Sequence, residues 1–179
     1  MSKRVLEVLK EKLSDAVVET SSFRGDDTAV VRPERLREVC LLLRDDPECA
    51  FDMPIDVTCV DYSTYGPGRP LGTRFVVVYH LRSTTKNHRV CLKVAVPDAD
   101  PAVPSVVGVW KGVVWFEREV HDLFGVRFDG HPDPRRLLLY PEFVGHPLRK
   151  DYPLRGYQPI EPIATLAGDP VPGVTRKEG

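Results

Sequence analysis

Residues 74–96, RFVVVYHLRSTTKNHRVCLKVAV, carry the strongest signal for the fold. The stretch 74–81 is apolar through its centre, which indicates a β-strand covered on both faces. The stretch 89–96 has the pattern of the next strand, and the short polar link 82–88 is typical of a hairpin connection. The sequence therefore predicts two paired strands in the middle of a sheet.

The segments around this hairpin alternate between extended and helical patterns. Gly125 follows the last helical segment and predicts its end, because glycine adopts the left-handed conformation that closes many helices. The order of the elements does not fit a dinucleotide-binding fold, and no GxGxxG motif is present. We predict an α+β fold: a two-layer domain with a mostly antiparallel sheet and helices on one face, followed by an extended proline-rich docking segment and tail. The further predicted strands are 15–20, 28–31 and 55–62, and the predicted helices are 3–13, 33–45, 105–110 and 113–124.

Composition narrows the class of protein. The chain has 179 residues and a net charge of −1 with a pI near 6.5, which suits one domain plus an extension and argues against nucleic acid as the main partner. The longest apolar run, Phe75 to Tyr79, is too short to span a bilayer. The N-terminal residues lack the apolar core of a signal peptide, so we expect a soluble protein.

The four cysteines, at positions 40, 49, 59 and 91, form no CxxC pair. Zinc and iron–sulfur sites need clustered thiolates, so this spacing argues against both. Cys59 and Cys91 fall in apolar strand patterns, where we interpret them as small core residues. Unpaired, scattered cysteines also fit a reducing cytoplasm.

Residues 115–155, WFEREVHDLFGVRFDGHPDPRRLLLYPEFVGHPLRKDYPLR, concentrate charge without an excess of either sign. The block holds seven basic and seven acidic residues, separated throughout by aromatic and aliphatic ones, and five prolines that restrict its backbone. A stiff segment with paired charges and apolar anchors is typical of a surface that docks against another protein.

Three chemical readings of this block compete with docking. His121, His131 and His146 lack the close spacing of a metal site, and two of them precede proline, so we favour structural or docking roles. The carboxylates of the helix leave acid–base catalysis open, although helical pairs at four-residue spacing are common on surfaces. The Arg135-Arg136 and Arg149-Lys150 pairs fit carboxylates of a partner better than phosphate, because acidic residues lie beside them.

The same block carries a family resemblance. The motifs are ERE at 117–119, DxFG at 122–125, FxGHPDxRR at 128–136 and GHPLRKD at 145–151, with further support from DDPECAFDMPIDVTCVDY at 45–62. This pattern closely resembles the 30 kDa subunit family of respiratory complex I, known in bacteria as the C subunit of NADH–quinone oxidoreductase. The resemblance extends over roughly residues 30 to 158.

The resemblance implies a non-catalytic subunit of the peripheral arm, on the cytoplasmic side of the inner membrane. The expected partners are subunits D, B and I, of which the first forms the quinone site. The chain itself is expected to hold no cofactor, while FMN, iron–sulfur clusters and quinone belong to other subunits. The complex passes electrons from NADH to quinone and exports protons. Two alternatives stay open: the equivalent subunit of an energy-converting NiFe hydrogenase or F420H2-type dehydrogenase, and a stand-alone enzyme.

The chain is predicted to divide into an α+β domain at 1–125, an extended charged docking segment at 126–158 and a flexible or partner-bound tail at 159–179. No catalytic or metal-binding residue is predicted. The predicted partner-binding residues are Glu117, Arg118, Glu119, Asp122, Phe124, Gly125, His131, Arg135, Arg136, His146, Arg149, Lys150 and Asp151.

Overall fold

A computed structural model describes residues 3–158, and the predicted tail lies outside these described residues. Five strands form a sheet in the order β1-β2-β5-β4-β3, in which every neighbouring pair is antiparallel except β2 and β5. Two short strands form a separate parallel pair. The strands are β1 (Val17–Phe23), β2 (Asp26–Val31), β3 (Met53–Asp61), β4 (Phe75–Ser83), β5 (His88–Val96), β6 (Ala102–Pro104) and β7 (Arg127–Asp129), and the helices are α1 (Lys3–Lys12), α2 (Leu36–Asp45) and α3 (Val113–Phe124).

The predicted hairpin is confirmed as β4 and β5, with Tyr79 opposite Leu92. On one face of β4, Val77 and Tyr79 are fully buried in the core. On the other face Val78 is also buried, which explains why the centre of β4 reads as a continuous apolar run. Valine and tyrosine also suit the pleated backbone, so local propensity and burial favour the same strand.

All three helices contribute side chains to the same hydrophobic core, which also takes the inward residues of the sheet. The stripe of α2 is the one that the spacing of its leucine, valine and cysteine residues predicts, and Leu36 and Leu43 are fully buried. An α+β class with a mostly antiparallel sheet is thus confirmed. The β2–β5 pair is the parallel exception. A parallel pair requires a long connection, which the chain supplies through α2, β3 and β4.

The helix predicted at 105–110 is wrong. Strand β6 ends at Pro104, and the residues after it make only a single turn, in which the N–H groups of Val109 and Trp110 donate to the Val106 carbonyl oxygen at 2.8 and 3.1 Å. The Ser105 N–H donates to the carbonyl oxygen of Asp129 at 2.9 Å, which extends the pairing of β6 with β7. The β-branched valines at 106 and 107 also disfavour a longer helix.

Helix α3 and strand β7 position the rest of the chain. Gly125 closes α3 with φ 72°, and its N–H donates to the His121 carbonyl oxygen at 2.9 Å, as its position after the helix predicts. Strand β7 then pairs residues 127–129 with β6, and Gly130 follows it. The predicted division of the chain stays a prediction.

Candidate docking site

We call residues 130–158 the strap, because they lie along the folded domain without forming a helix or a strand of their own. Backbone turns and bends account for this segment, as its prolines at 132, 134, 141, 147 and 153 lead one to expect. A segment with so little internal hydrogen bonding keeps one conformation only if other groups of the chain hold it. Four anchor points do so.

The first anchor is the buried carboxylate of Asp122 on α3. Its Oδ2 accepts hydrogen bonds from three successive backbone N–H groups of the strap at 2.8–3.0 Å. Its Oδ1 accepts a hydrogen bond from the Arg136 guanidinium at 2.7 Å. Charge-assisted bonds of this kind are about twice as strong as neutral ones, so one aspartate fixes four groups of the strap. The three N–H donors belong to Leu137, Leu138 and Leu139.

Arg136 and His146 extend this anchor. The Arg136 guanidinium also donates to the carbonyl oxygens of Phe143 and Gly145, at 3.0 and 3.3 Å. The His146 Nδ1–H donates to the backbone carbonyl oxygen of Asp122 at 2.8 Å. Two distant parts of the strap are therefore joined at the end of one helix.

The second anchor lies at the sheet, where Asp61 ends β3. The fully buried Asp61 carboxylate forms a two-pronged pair with Arg74, with N···O distances of 3.0 and 2.8 Å, and accepts the backbone N–H of Lys150 at 2.9 Å. Arg74 also pairs with Asp151 at 2.7 and 3.1 Å. Asp61 lies two residues after Cys59 and therefore points to the same side of β3. It can carry a charge there because Arg74 and the strap supply its hydrogen-bond donors.

The third anchor is Arg149. Its Nε–H donates to the Phe124 carbonyl oxygen at 2.6 Å, and its guanidinium stacks over the Phe75 ring with 5.1 Å to the centroid. The neighbouring Leu148 N–H donates to the Leu123 carbonyl oxygen at 3.1 Å. The last carbonyl groups of α3, which have no partner within the helix, are satisfied by the strap.

The fourth anchor holds the beginning of the strap. The His131 Nε2–H donates to the carbonyl oxygen of Val114, in the first turn of α3, at 3.1 Å. The Arg118 guanidinium donates to the carbonyl oxygens of Arg135 and Arg136 at 3.0 and 2.8 Å. Helix α3 therefore contacts the strap along its whole length.

The two buried aspartates are held in the ionised form. Burial raises the pKa of the Asp122 carboxyl, but the hydrogen bonds from Leu139 and Arg136 outweigh burial, and the pKa lies below its ordinary value. Burial likewise raises the pKa of Asp61, and the Arg74 guanidinium and the Lys150 N–H lower it well below that value. At neutral pH both anchors are charge-assisted.

The outer face of the strap carries large apolar side chains between exposed charged ones such as Glu142, Lys150 and Arg155. Tyr140 and Tyr157 are 51% and 60% exposed, and Leu154 is fully exposed. Ring contacts at 5.1–6.1 Å between centroids connect four aromatic residues along the strap, so this surface is supported from beneath. The exposed apolar residues of the strap are Leu138, Tyr140, Val144, Leu148, Leu154 and Tyr157.

Most of the predicted partner-binding side chains face this chain instead of solvent. Glu117 and Asp122 are fully buried, and Phe124 is buried. Glu119 and Arg135 are exposed, and the Arg135 guanidinium pairs with the neighbouring Asp133 at 2.7 Å. The other members of the predicted set that contact the chain itself are Arg118, His131, Arg136, His146, Arg149 and Asp151, while Lys150 does so through its backbone.

Sequence reasoning missed two groups of residues. Asp61 and Arg74 form an anchor, and the signal for it was a carboxylate at an inward position of β3. The exposed apolar residues of the strap were missed because the sequence shows that leucine and tyrosine lie in a charged block but does not show whether their side chains point inward or outward. Their exposure depends on which side of the strap Asp122 binds.

The described residues place few reactive groups together. Within residues 3–158, no three histidine, cysteine, aspartate or glutamate side chains are grouped as metal ligands. In the same part of the chain, no helix is both long and apolar enough to cross a membrane. All four cysteines are free; Cys40, Cys49 and Cys59 are buried, whereas Cys91 is only partly buried, unlike the core residue predicted there.

The fold and the strap define an α+β protein with a fixed surface of exposed apolar side chains. Comparison of sequences assigns the family: residues 29–158 match the family described as respiratory-chain NADH dehydrogenase, 30 Kd subunit. The chain is 47% identical to the NADH-quinone oxidoreductase C subunit of Thiobacillus denitrificans, over 95% of this chain and 91% of the relative. It is 51% identical to the same subunit of Acidithiobacillus ferrooxidans, over 84% and 77%. The chain belongs to the 30 kDa subunit family.

Solved structures agree on the fold. A trypsin-resistant fragment of Nqo5 has a TM-score of 0.61 and 34% identity, covering 73% of this chain and 98% of the fragment. A chain of a membrane-bound sulfane sulfur reductase, an archaeal respiratory membrane complex, has a TM-score of 0.69 and covers 86% of both chains. Its 23% identity supports a shared fold and no more.

Proposed function

We propose that this chain is a non-catalytic assembly subunit in the peripheral arm of a proton-translocating NADH–quinone oxidoreductase. The observation that carries the proposal is the strap: Arg136, Arg149 and Asp151 bind other groups of the chain, and large apolar side chains of the strap are exposed. Preorganising a docking surface lowers the entropy lost on association, so rigid anchoring favours assembly. The names of relatives at 47% and 51% identity support the identity of the complex.

The partner that we propose for the strap is the quinone-site subunit, with subunits B and I beside it. The exposed leucine, valine and tyrosine residues fit an apolar groove, because such residues form the centres of protein interfaces. In this proposal the chain lies on the cytoplasmic side of the inner membrane, held there through the complex. FMN, iron–sulfur clusters and quinone are bound by other subunits.

The alternative complexes reuse a related module. The archaeal sulfane sulfur reductase chain shares the fold, so an energy-converting hydrogenase or F420H2-type dehydrogenase stays a second candidate. Mass spectrometry of the native complex purified through this chain separates the two. Flavin- and NADH-binding subunits support our proposal, whereas hydrogenase subunits would contradict it.

The docking role itself is tested by purifying the complex through a tag on this chain. We expect Leu138→Asp combined with Tyr140→Asp to reduce recovery of the quinone-site subunit at least tenfold, because two charges would be desolvated in an apolar contact. The matched control is Phe23→Asp with Val18→Asp, which places the same charges on exposed apolar residues of β1. Undiminished recovery of the quinone-site subunit with the strap variant would contradict the proposal.

A further inference from the structure

Glu117 is a fully buried carboxylate in the middle of α3. Its Oε2 accepts a hydrogen bond from the Ser105 hydroxyl at 2.6 Å, and its Oε1 accepts the Val106 N–H at 2.8 Å. Among the residues that the structure describes, no lysine or arginine forms an ion pair with it, and the basic side chain within 4.0 Å of its carboxylate is that of His131. A buried anion without a counter-charge is costly, so the site favours a neutral carboxyl.

The hydrogen bonds of His131 show which form the imidazole takes. Its Nε2 contacts the Val114 carbonyl oxygen, which can only accept, so Nε2 carries a proton. Its Nδ1 accepts the Asp133 N–H at 3.0 Å, which requires an unprotonated nitrogen. The imidazole is therefore neutral, and protonating it would break the hydrogen bond from Asp133 at the beginning of the strap.

The other basic side chains near Glu117 do not hydrogen-bond to its carboxylate. A cavity of about 30 Å³ lies against the carboxylate, and Arg118, His121 and Arg127 line it. Each of these three side chains makes its hydrogen bonds to other groups of the chain: Arg118 and His121 to carbonyl oxygens, and Arg127 to two exposed aspartates. The cavity is large enough for one water molecule.

The remaining neighbours come from the opposite side of the core. Cys40 of α2 and Tyr79 of β4 are both fully buried near Glu117. Neither is a cation, and within residues 3–158 the Tyr79 hydroxyl has no hydrogen-bond partner. On this side Glu117 therefore faces uncharged groups without a counter-charge.

We infer that Glu117 and His131 form a one-proton site, in which the folded chain at mildly acidic pH keeps the proton on the Glu117 carboxyl and loses stability when that proton leaves. Burial raises the pKa of Glu117 to about 7, although the hydrogen bonds from Ser105 and Val106 act in the opposite direction. The site joins β6, α3 and the first residues of the strap, so its charge state acts on the junction that positions the docking face.

The sign of the pH dependence follows from linkage. In the unfolded chain Glu117 ionises near its ordinary pKa of 4.5, so between that value and about 7 the folded chain binds an extra proton. The stabilisation is complete below pH 4.5 and is lost as the pH rises through about 7. The full chain should therefore become less stable across the neutral range.

Thermal unfolding of the purified full chain at pH 6 and pH 8 tests this. We expect the melting temperature of the wild type to fall by about 4 °C more than that of Glu117→Gln, which cannot ionise. Glu119→Gln, an exposed control on the same helix, should keep the wild-type pH dependence. Equal pH dependence in the wild type and Glu117→Gln would overturn the inference.

Two further measurements keep the inference testable if Glu117→Gln does not fold. In a carboxyl carbon NMR titration of the wild-type chain, Glu117 should titrate near neutrality, and titration near 4.5 would overturn the inference. His131→Gln keeps a donor for the Val114 carbonyl oxygen. It should retain the pH dependence, and its loss would place the proton on the imidazole and overturn the assignment to Glu117.

Discussion

At the residue scale, Asp122 and Asp61 explain why buried charges stabilise this chain. Both carboxylates are fully buried, and both are surrounded by donors that come from the strap or from an arginine beside it. Breaking a buried, hydrogen-bonded ion pair by removing one charge leaves the other partner uncompensated, which typically costs about 3–5 kcal/mol. Replacing a single carboxylate oxygen in either anchor should therefore lower the free energy of unfolding.

Asp122→Asn tests this sensitivity with almost no change in shape. The amide leaves Arg136 without a negative partner and presents an N–H₂ group to N–H donors, so we expect a loss of about 3 kcal/mol in the free energy of unfolding. Amide hydrogen exchange at residues 137–139 should accelerate. The control Glu119→Gln should change the free energy of unfolding by less than about 0.5 kcal/mol. An unchanged value for Asp122→Asn would show that the anchor does not hold the strap.

At the element scale, α3 ends at Gly125, and the strap packs against the same residue. Gly125 has φ 72°, and a Cβ added there would lie 2.5 Å from the Arg149 guanidinium and 2.5 Å from the His146 ring. The end of α3 requires glycine because the residue has a left-handed backbone conformation. The strap requires glycine because a Cβ atom would overlap its Arg149 and His146 side chains. The two requirements fall on the same residue because the strap caps the helix.

Gly125→Ala should therefore lower the free energy of unfolding by about 2 kcal/mol, from left-handed backbone strain and the displacement of two strap side chains. Gly112→Ala is the matched control at the other end of α3. Gly112 has φ −64° and nothing within 4 Å of an added Cβ, so its replacement should be neutral within about 0.5 kcal/mol. Denaturant unfolding of the full chain measures both, and equal effects would contradict the account.

Elements formed by local pattern were predictable, and elements formed by distant pairing were not. The β4–β5 hairpin and the α2 stripe follow from periodicity within about twenty residues. Strand β6 was not predicted, because its partner, β7, lies 25 positions further along the chain. That the charged segment is a docking site stays a prediction, and the orientation of its side chains could not be predicted, because Asp61 and Asp122 determine which face turns inward.

At the scale of the whole molecule, the charged and the apolar side chains of the strap make different contacts. Several charges of residues 115–155, among them Asp122, Arg136 and Asp151, hold the strap on the domain, and apolar residues between them are exposed. In the proposed function, this separation leaves the apolar residues available to a partner. Anchors that are satisfied before assembly leave few charges to desolvate on binding.

Hydroxyl-radical footprinting of the intact complex, compared with the free chain, tests the central claim most directly. Tyr140 and Tyr157 of the strap and Tyr65 of the loop after β3 are similarly exposed, at 51%, 60% and 63%, so they provide matched probes. We predict that Tyr140 and Tyr157 lose at least fivefold of their labelling rate in the complex while Tyr65 keeps its rate, because only the strap enters an apolar interface. Unchanged labelling of Tyr140 and Tyr157 would contradict the claim that this face docks.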